Sequence, residues 1–390
     1  QSGSSGVRND NSRRELNVAY YNYGETDVTG YENTVNVDPS LTWQRSAQFN
    51  SGIDASLLNN RVKFTVDAYL RQTRDMLLEK PLPPSSGFDV RMENSGDIDN
   101  WGLEFALNTV NIKANDFSWE TNFTIAFDRS EVLDLGGVDF QLFNAKGMKE
   151  DNLILKVGEN VGNWFGYQQA GIYDESDFDI TRDENGYITS MSVKDGVAED
   201  VGTVGTLIGD PKFEDINGDG QITPADRVVL GSDVPDYFGG LTTNFSYGNW
   251  DLSAFFYFKQ GQMIESNFHR SNNSLQGRYN NMDLDYWTPN NPGGMYPRPN
   301  IGNERAVDGD LMVYFDGSYV KLRNLTLGYN FDTEIASSLG MSRLRAYVQG
   351  QNLWFSSDYD TWDPEVGEER IDSGVAPSSS MWAFGVRANF

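Results

Sequence analysis

The chain has no cysteine, which excludes disulfides, thiolate nucleophiles and cysteine metal sites. Histidine is almost missing too: His269 is the single copy in 390 residues. It lies in NFHRSNNSLQ, no G-x-S-x-G nucleophile elbow is present, and the expectation is an exposed loop histidine. Positive charge is scarce, with 30 Lys and Arg against 57 Asp and Glu and a net charge of −27. Nucleic acid is therefore not an expected partner, because its phosphates would be repelled. No run approaches the roughly 18 apolar residues of a membrane-spanning helix. That leaves open a membrane barrel, whose strands alternate and keep hydropathy low. No secretion signal opens the chain, and QSGSSGVRND at Gln1 reads as a loop or processed end.

Aromatic residues and glycine are abundant, at 13% and 39 residues, while mean hydropathy is only −0.54. Strands that are apolar on one face would reconcile these values. Period-two alternation recurs along most of the chain. In RVKFTVDAYLRQ, Val62, Phe64, Val66, Ala68 and Leu70 oppose Lys63, Thr65, Asp67, Tyr69 and Arg71. Trp101, Leu103, Phe105 and Leu107 share a face, as do Trp119, Thr121, Phe123, Ile125 and Phe127. MWAFGVRANF places Trp382, Phe384, Val386, Ala388 and Phe390 together. Trp101, Trp119, Trp250 and Trp382 read as an interfacial aromatic belt near strand ends. Lys63, Asp67, Arg71 and Arg387 read as charges facing a wet lumen. The fold class is thus all-β: part of an antiparallel transmembrane barrel, about ten or eleven strands by pattern.

The expected connectors are of two kinds. Asn59-Asn60, Asn115-Asp116 and Gly248-Asn249 are tight, whereas 81–97, 135–160, 174–236, 262–316 and 356–379 are long and rich in Pro, Gly, Asn and Asp. Outer-membrane barrels have short periplasmic turns and long extracellular loops, so the long connectors are expected outside. GNWFGYQQAGIY fits either a wall strand or a loop hairpin.

DINGDGQITPAD, Asp215 to Asp226, is spaced like a calcium loop. Asp215, Asn217 and Asp219 offer side-chain oxygens, Gly220 allows the sharp turn, Gln221 offers its carbonyl, Thr223 follows, and Asp226 closes the loop. The full pattern has Glu at the closing position, one methylene longer. A structural calcium is expected here, with a self-bonded Asx-rich turn as the alternative. Tyr286, Trp287, Tyr296, Tyr359 and Trp362 could stack on sugars or meet a lid protein, or could pack within the loops. The 57 acidic residues supply many carboxylate pairs, but nothing places two across a cleft, and the chain is not expected to be an enzyme.

Gly209–Leu241, SYVKLRNLTLGYNF, RAYVQGQNLWF and WDPEV, together with LTWQRSAQFNSGIDASLLNNRVKFTVDAYLRQTRDMLL and NSGDIDNWGLEFAL, occur in an order that resembles the SusC/RagA-like TonB-dependent transporters of Bacteroidota outer membranes. That resemblance implies a barrel of about 22 strands around a plug domain. It also implies energy relayed by TonB and a SusD-like surface lipoprotein as lid, in contact with membrane lipid and lipopolysaccharide. The cargo would be oligosaccharides or peptides. Against that pattern the chain is short, so it reads as a C-terminal barrel portion. Its edges should pair with the remaining N-terminal barrel half, because open sheet edges are not tolerated in lipid. Two rival readings are a secreted, calcium-stabilised, β-rich carbohydrate-binding module and a β-rich carbohydrate-active enzyme.

Overall fold

The computed structural model describes residues 2–4, 16–23, 26–33, 36–37, 40–88, 90–143, 152–200, 206–266, 268–269, 283–299, 313–359, 363–365, 370–371 and 378–390. The alternating segments become a wall of antiparallel strands. These are β1 (Arg45–Leu57), β2 (Val62–Pro81), β3 (Val90–Lys113), β4 (Phe117–Leu135), β5 (Tyr237–Tyr247), β6 (Trp250–Gln260), β7 (Tyr319–Asn330), β8 (Arg343–Ser357) and β9 (Met381–Asn389). Each pairs with the next in chain order. Ser2–Ser4 adds to the outer edge of β1, and Asn36–Val37 runs parallel to β3, giving an eleven-stranded sheet. Among the described strands this sheet is open, as a sheet much narrower than a transporter barrel must be.

The tight turns follow from residues that tolerate left-handed backbone. Asn59 and Asn60 lie at φ 53° and 67°, and Gly248 at 54°; Leu58, at φ 51°, is carried into the same region without that tolerance. These turns, the 114–116 turn and the 331–342 link containing the helix Thr333–Ser338 all join strands at one end of the wall. The connectors 82–89, 136–236, 261–318 and 358–380 leave from the other end.

Register determines which side chains share a face. Trp119, Phe245, Leu252, Leu327, Val348 and Phe384 are successive cross-strand partners, forming one apolar row over six strands. Phe384 in that row is 82% exposed, so this is the outward face. A second outward row joins Phe49, Leu70 and Trp101, all exposed. Thr65, Ala106, Thr124, Gly240, Tyr257 and Lys321 form the matching inward row. In water an outward apolar band of this breadth would be unfavourable; in lipid it is the stable arrangement.

The buried core lies elsewhere, among the long connectors. Trp164, Tyr167, Tyr173, Phe178, Phe213 and Ile222 are buried there. Three expected boundaries change accordingly. The connector placed at 81–97 shrinks to 82–89, because Val90–Gly96 continue β3 and pair with β2 as far as Pro81. The 135–160 and 174–236 connectors carry strands of their own: Phe140–Phe143, Leu153–Lys156, Asn163–Tyr167 and Arg227–Ser232 make a four-stranded sheet. GNWFGYQQAGIY belongs to this loop layer, since β4 pairs directly with β5. Trp101 is not near a strand end but twelve residues before Lys113. A bilayer needs only about 9–11 tilted residues, so β2, β3 and β4, at 20, 24 and 19 residues, are longer than a span requires.

Candidate functional site

The inward face carries a cavity of about 360 Å³, lined in part by Thr65, Asp67, Glu104, Thr124, Phe238 and Tyr257. Ala106, Ala126 and Gly240 open this space by presenting little or no side chain. Asp67 and Glu104 are direct cross-strand partners in β2 and β3, and both are exposed to the cavity. Like charges in that relation are unfavourable. Nearby acids are satisfied: Tyr69 Oη donates to Asp128 Oδ1 at 2.8 Å, and Thr65 Oγ1 to Asp54 Oδ1 at 2.5 Å. Asp67 was legible as a lumen charge from alternation alone. Its pairing with Glu104 was not, because register is set by the β2–β3 connection rather than by either strand.

The Asp215–Asp226 loop is a network of carboxylates accepting backbone N–H groups. Asp215 Oδ1 accepts from Gly218 at 2.7 Å and Asp219 at 3.2 Å, and its Oδ2 from Gly220 at 2.8 Å. Asp219 Oδ1 accepts from Gln221 at 2.8 Å, and Asn217 Oδ1 from Asp219 at 2.8 Å. Asp226 is fully buried and closes both ends of the loop. Its Oδ1 accepts from Ile216 and Asn217 at 3.0 and 3.3 Å; its Oδ2 accepts from the Thr223 N–H and hydroxyl at 2.8 and 3.2 Å. Burial acts to raise the Asp226 carboxyl, but the Thr223, Asn217 and Ile216 donors outweigh it and hold the carboxyl below the usual aspartate value.

Among the described residues no group of three or more acidic or histidine side chains converges as for a metal ion. A cation would therefore also need the Asn217 amide oxygen and the Gln221 carbonyl. Those donors, with Asp215 and Asp219, are the hard oxygens calcium prefers, and each retains acceptor capacity beyond the bonds above.

The aromatic candidates divide by exposure. Tyr286 is 36% exposed, whereas Trp287, Tyr296 and Tyr359 are buried. Trp287 N–H donates to the Tyr296 carbonyl at 2.7 Å, so the two rings belong to one folded loop. Trp362 lies outside the described residues. His269 differs from its expectation: it is fully buried, not an exposed loop residue. Its Nδ1 lies 2.8 Å from Ser266 Oγ, and its ring is 4.4 Å from that of Phe315. Ser266 and Tyr359 close over it, so it serves as a packed hydrogen-bonding group where the two connectors meet.

No protein-family model matches the chain. It is 29% identical over 395 residues to the TonB-dependent receptor P3 of Formosa agariphila, covering 96% of this chain and 37% of that protein. The TonB-dependent receptor P26 of the same organism is 30% identical over 331 residues, covering 84% and 32%. The TonB-dependent receptor SusC of Bacteroides thetaiotaomicron is 26% identical over 365 residues, covering 90% and 32%. Among solved structures, the RagAB peptide importer in its open-open state matches with TM-score 0.73 and 22% identity, over 100% of this chain and 39% of that one. Its closed-closed state gives TM-score 0.72 at 21% identity, over 100% and 40%. The chain spans about a third of the length of the curated relatives it matches. Along nearly its whole length the chain is similar to TonB-dependent receptors, SusC among them, and its wall has the fold of the corresponding part of the RagAB structures.

Proposed function

We propose that the chain forms wall and outer-loop structure of an outer-membrane nutrient importer in a Gram-negative bacterium of Bacteroidota type. The observation that carries this reading is the apolar outward row from Trp119 to Phe384, backed by a polar inward face. A wall of that kind encloses a wet path through lipid. The cargo class is oligosaccharides or peptides; the opposed Asp67 and Glu104 at the cavity favour neutral or cationic members of either. Energy would come from TonB, acting through a plug in the remaining part of the receptor. A SusD-like surface lipoprotein would close the outer mouth. The remaining barrel half, lipid and lipopolysaccharide would complete the surroundings of the wall.

In this reading the Asp215–Asp226 loop lies in an extracellular connector and holds a structural calcium through Asp215, Asn217, Asp219 and the Gln221 carbonyl, with Asp226 closing the loop. Tyr286 offers the most open ring for cargo or lid contact. No reaction is assigned to the chain.

Membrane fractionation and heat-modifiable migration of the intact receptor test the barrel. Uptake of labelled oligosaccharide and oligopeptide ladders by cells with and without the receptor gene tests the import. Recovery as a soluble protein without detergent would overturn the barrel reading, and unchanged uptake of every ladder would overturn import.

A further inference from the structure

The inward face changes character across the cavity. Asp67, Glu104, Ala126 and Phe238 are successive cross-strand partners on β2 to β5. The row therefore runs from two acids, over a residue with almost no side chain, to an aromatic ring. Phe255 on β6 extends the aromatic side: it lies against Gly240, where a Cβ would come within 2.8 Å of its ring. Neighbouring strands are about 4.8 Å apart, so Glu104 and Phe238 are separated by roughly 10 Å with Ala126 between them. The cavity of about 360 Å³ has the size of a ligand pocket, and such pockets are mostly apolar with a few placed polar groups. Phe238 is the second residue of β5, so the cavity opens near the end of the wall where the long connectors leave.

Several cations of the inward face are engaged elsewhere. Lys321 pairs in register with Tyr257, and its Nζ lies 2.5 Å from Asp363 and 2.8 Å from Glu365. The registers on both sides of β7 skip Arg323, so the strand carries a bulge there that re-aims this side chain. Arg323 lies 4.0 Å over the Tyr257 ring and pairs with Glu365. Arg71 donates to Gln48 Oε1 at 3.2 and 3.1 Å. Lys63 is four residues from Asp67 along β2, and Lys259 is three strands from Glu104, each roughly 14 Å by strand geometry. Asp67 and Glu104 thus face each other without a cation among the described residues, which is unfavourable until a positive group joins them.

We infer that this cavity is a subsite for the lysine or arginine side chain of a peptide. A basic side chain carries its charge at the end of an apolar stem. Its cation would sit between Asp67 and Glu104 in charge-assisted hydrogen bonds, with its stem over Ala126 and the adjoining peptide against Phe238 and Phe255. An amino sugar carries its cation directly on a hydroxyl-rich ring, and Phe238 and Phe255 offer those hydroxyls no partner. A bare divalent cation needs more oxygens than two carboxylates supply. That the bound peptide is cargo rests on the import reading above; the binding does not.

Isothermal titration of the intact receptor in detergent, at low salt, tests the subsite. The probes are end-capped pentapeptides with a central Lys, Arg, Gln or norleucine, and a glucosamine tetramer. The Lys and Arg peptides should bind at least about tenfold tighter than the norleucine peptide, whose carbon stem matches that of Lys without the charge. Asp67→Asn with Glu104→Gln should abolish that preference, and Phe255→Ala should weaken the Lys and norleucine peptides alike. Heat-modifiable migration reports whether each barrel has formed, and the comparison of Lys with norleucine needs no variant. Equal binding of those two by the unsubstituted receptor overturns the subsite, as does a preference that survives in the folded double variant. No binding of any peptide, with a lower melting temperature in the double variant, gives the acids to a cation elsewhere in the receptor and overturns it too. A glucosamine tetramer that binds tighter than the Lys peptide through the same two acids overturns the peptide class. An acid-dependent Lys preference in the purified receptor, with no uptake of any peptide by cells, rejects import while upholding the subsite.

Discussion

Trp119 and Phe245 stack across adjacent wall strands, with ring centroids 5.7 Å apart and planes inclined by 17°. They are distant in sequence, separated by the whole loop layer between β4 and β5, yet they share the outward row. Aromatic pairs of this kind add about 0.5–1.5 kcal/mol beyond their area burial. On this wall they also begin the row that meets lipid.

Neighbouring residues on opposite faces should respond very differently to charge. Leu325 shares the outward face with Leu327, while Thr326 points inward opposite Ser253. Leu325→Arg should destabilise the barrel by about 2–4 kcal/mol if it lies near the bilayer midplane. Thr326→Arg should cost far less. Urea titration of the folded fraction in lipid vesicles, scored by heat-modifiable migration, measures both.

Calcium should stabilise the Asp215–Asp226 loop. At about 100 times its Kd, a ligand of the folded state adds roughly 2.7 kcal/mol. The expected outcome is a lower melting temperature for loop opening after chelation, restored by calcium but not by magnesium, which demands a tighter octahedral cage. Asp215→Ala combined with Asp219→Ala should abolish the response. A chelation-insensitive melt in the unsubstituted receptor would reject the ion.

Asp226 predicts a specific acid sensitivity. Its carboxyl is held below the ordinary aspartate value when folded. The stabilisation is therefore fully present above the unfolded value of about 3.9 and is lost as pH falls through the lower folded value. Exchange protection of residues 215–226 should drop below about pH 4, after correction for intrinsic rates. Asp226→Asn should remove that pH dependence. Asp226→Ala should lower local stability by at least about 2 kcal/mol, because buried N–H groups lose a charged acceptor.

The opposed acids should tune cargo charge. Asp67→Asn with Glu104→Gln removes two negative charges from the cavity wall without changing its shape. Uptake of anionic oligosaccharides should rise relative to neutral ones of equal length. The difference should shrink at high ionic strength, where screening weakens the field. Equal uptake ratios in both receptors at low salt would reject a selective role.

Much of the wall was legible because alternation has a single cause. Val62 to Leu70 and Trp382 to Phe390 place apolar side chains on every second position, and only a strand puts those on one surface. Asn59, Asn60 and Gly248 announced their turns through tolerance of left-handed backbone. The loop layer was less legible. Short strands such as Asn163–Tyr167 are buried on both faces and show no alternation to read. His269 was misplaced because polar neighbours in sequence suggest solvent, whereas Phe315, Ser266 and Tyr359 arrive from distant segments to enclose it.

The sequence by itself determined the strand periodicity, the two classes of connector and the oxygen spacing from Asp215 to Asp226, since each depends on residues close along the chain. Tertiary structure alone decided that Asp67 faces Glu104, that Trp119 stacks on Phe245, and that Lys321 meets Asp363. Those contacts depend on register, on a bulge at Arg323 and on where a long connector returns. None of these has a local sequence period, because each is the joint result of two or more strands pairing.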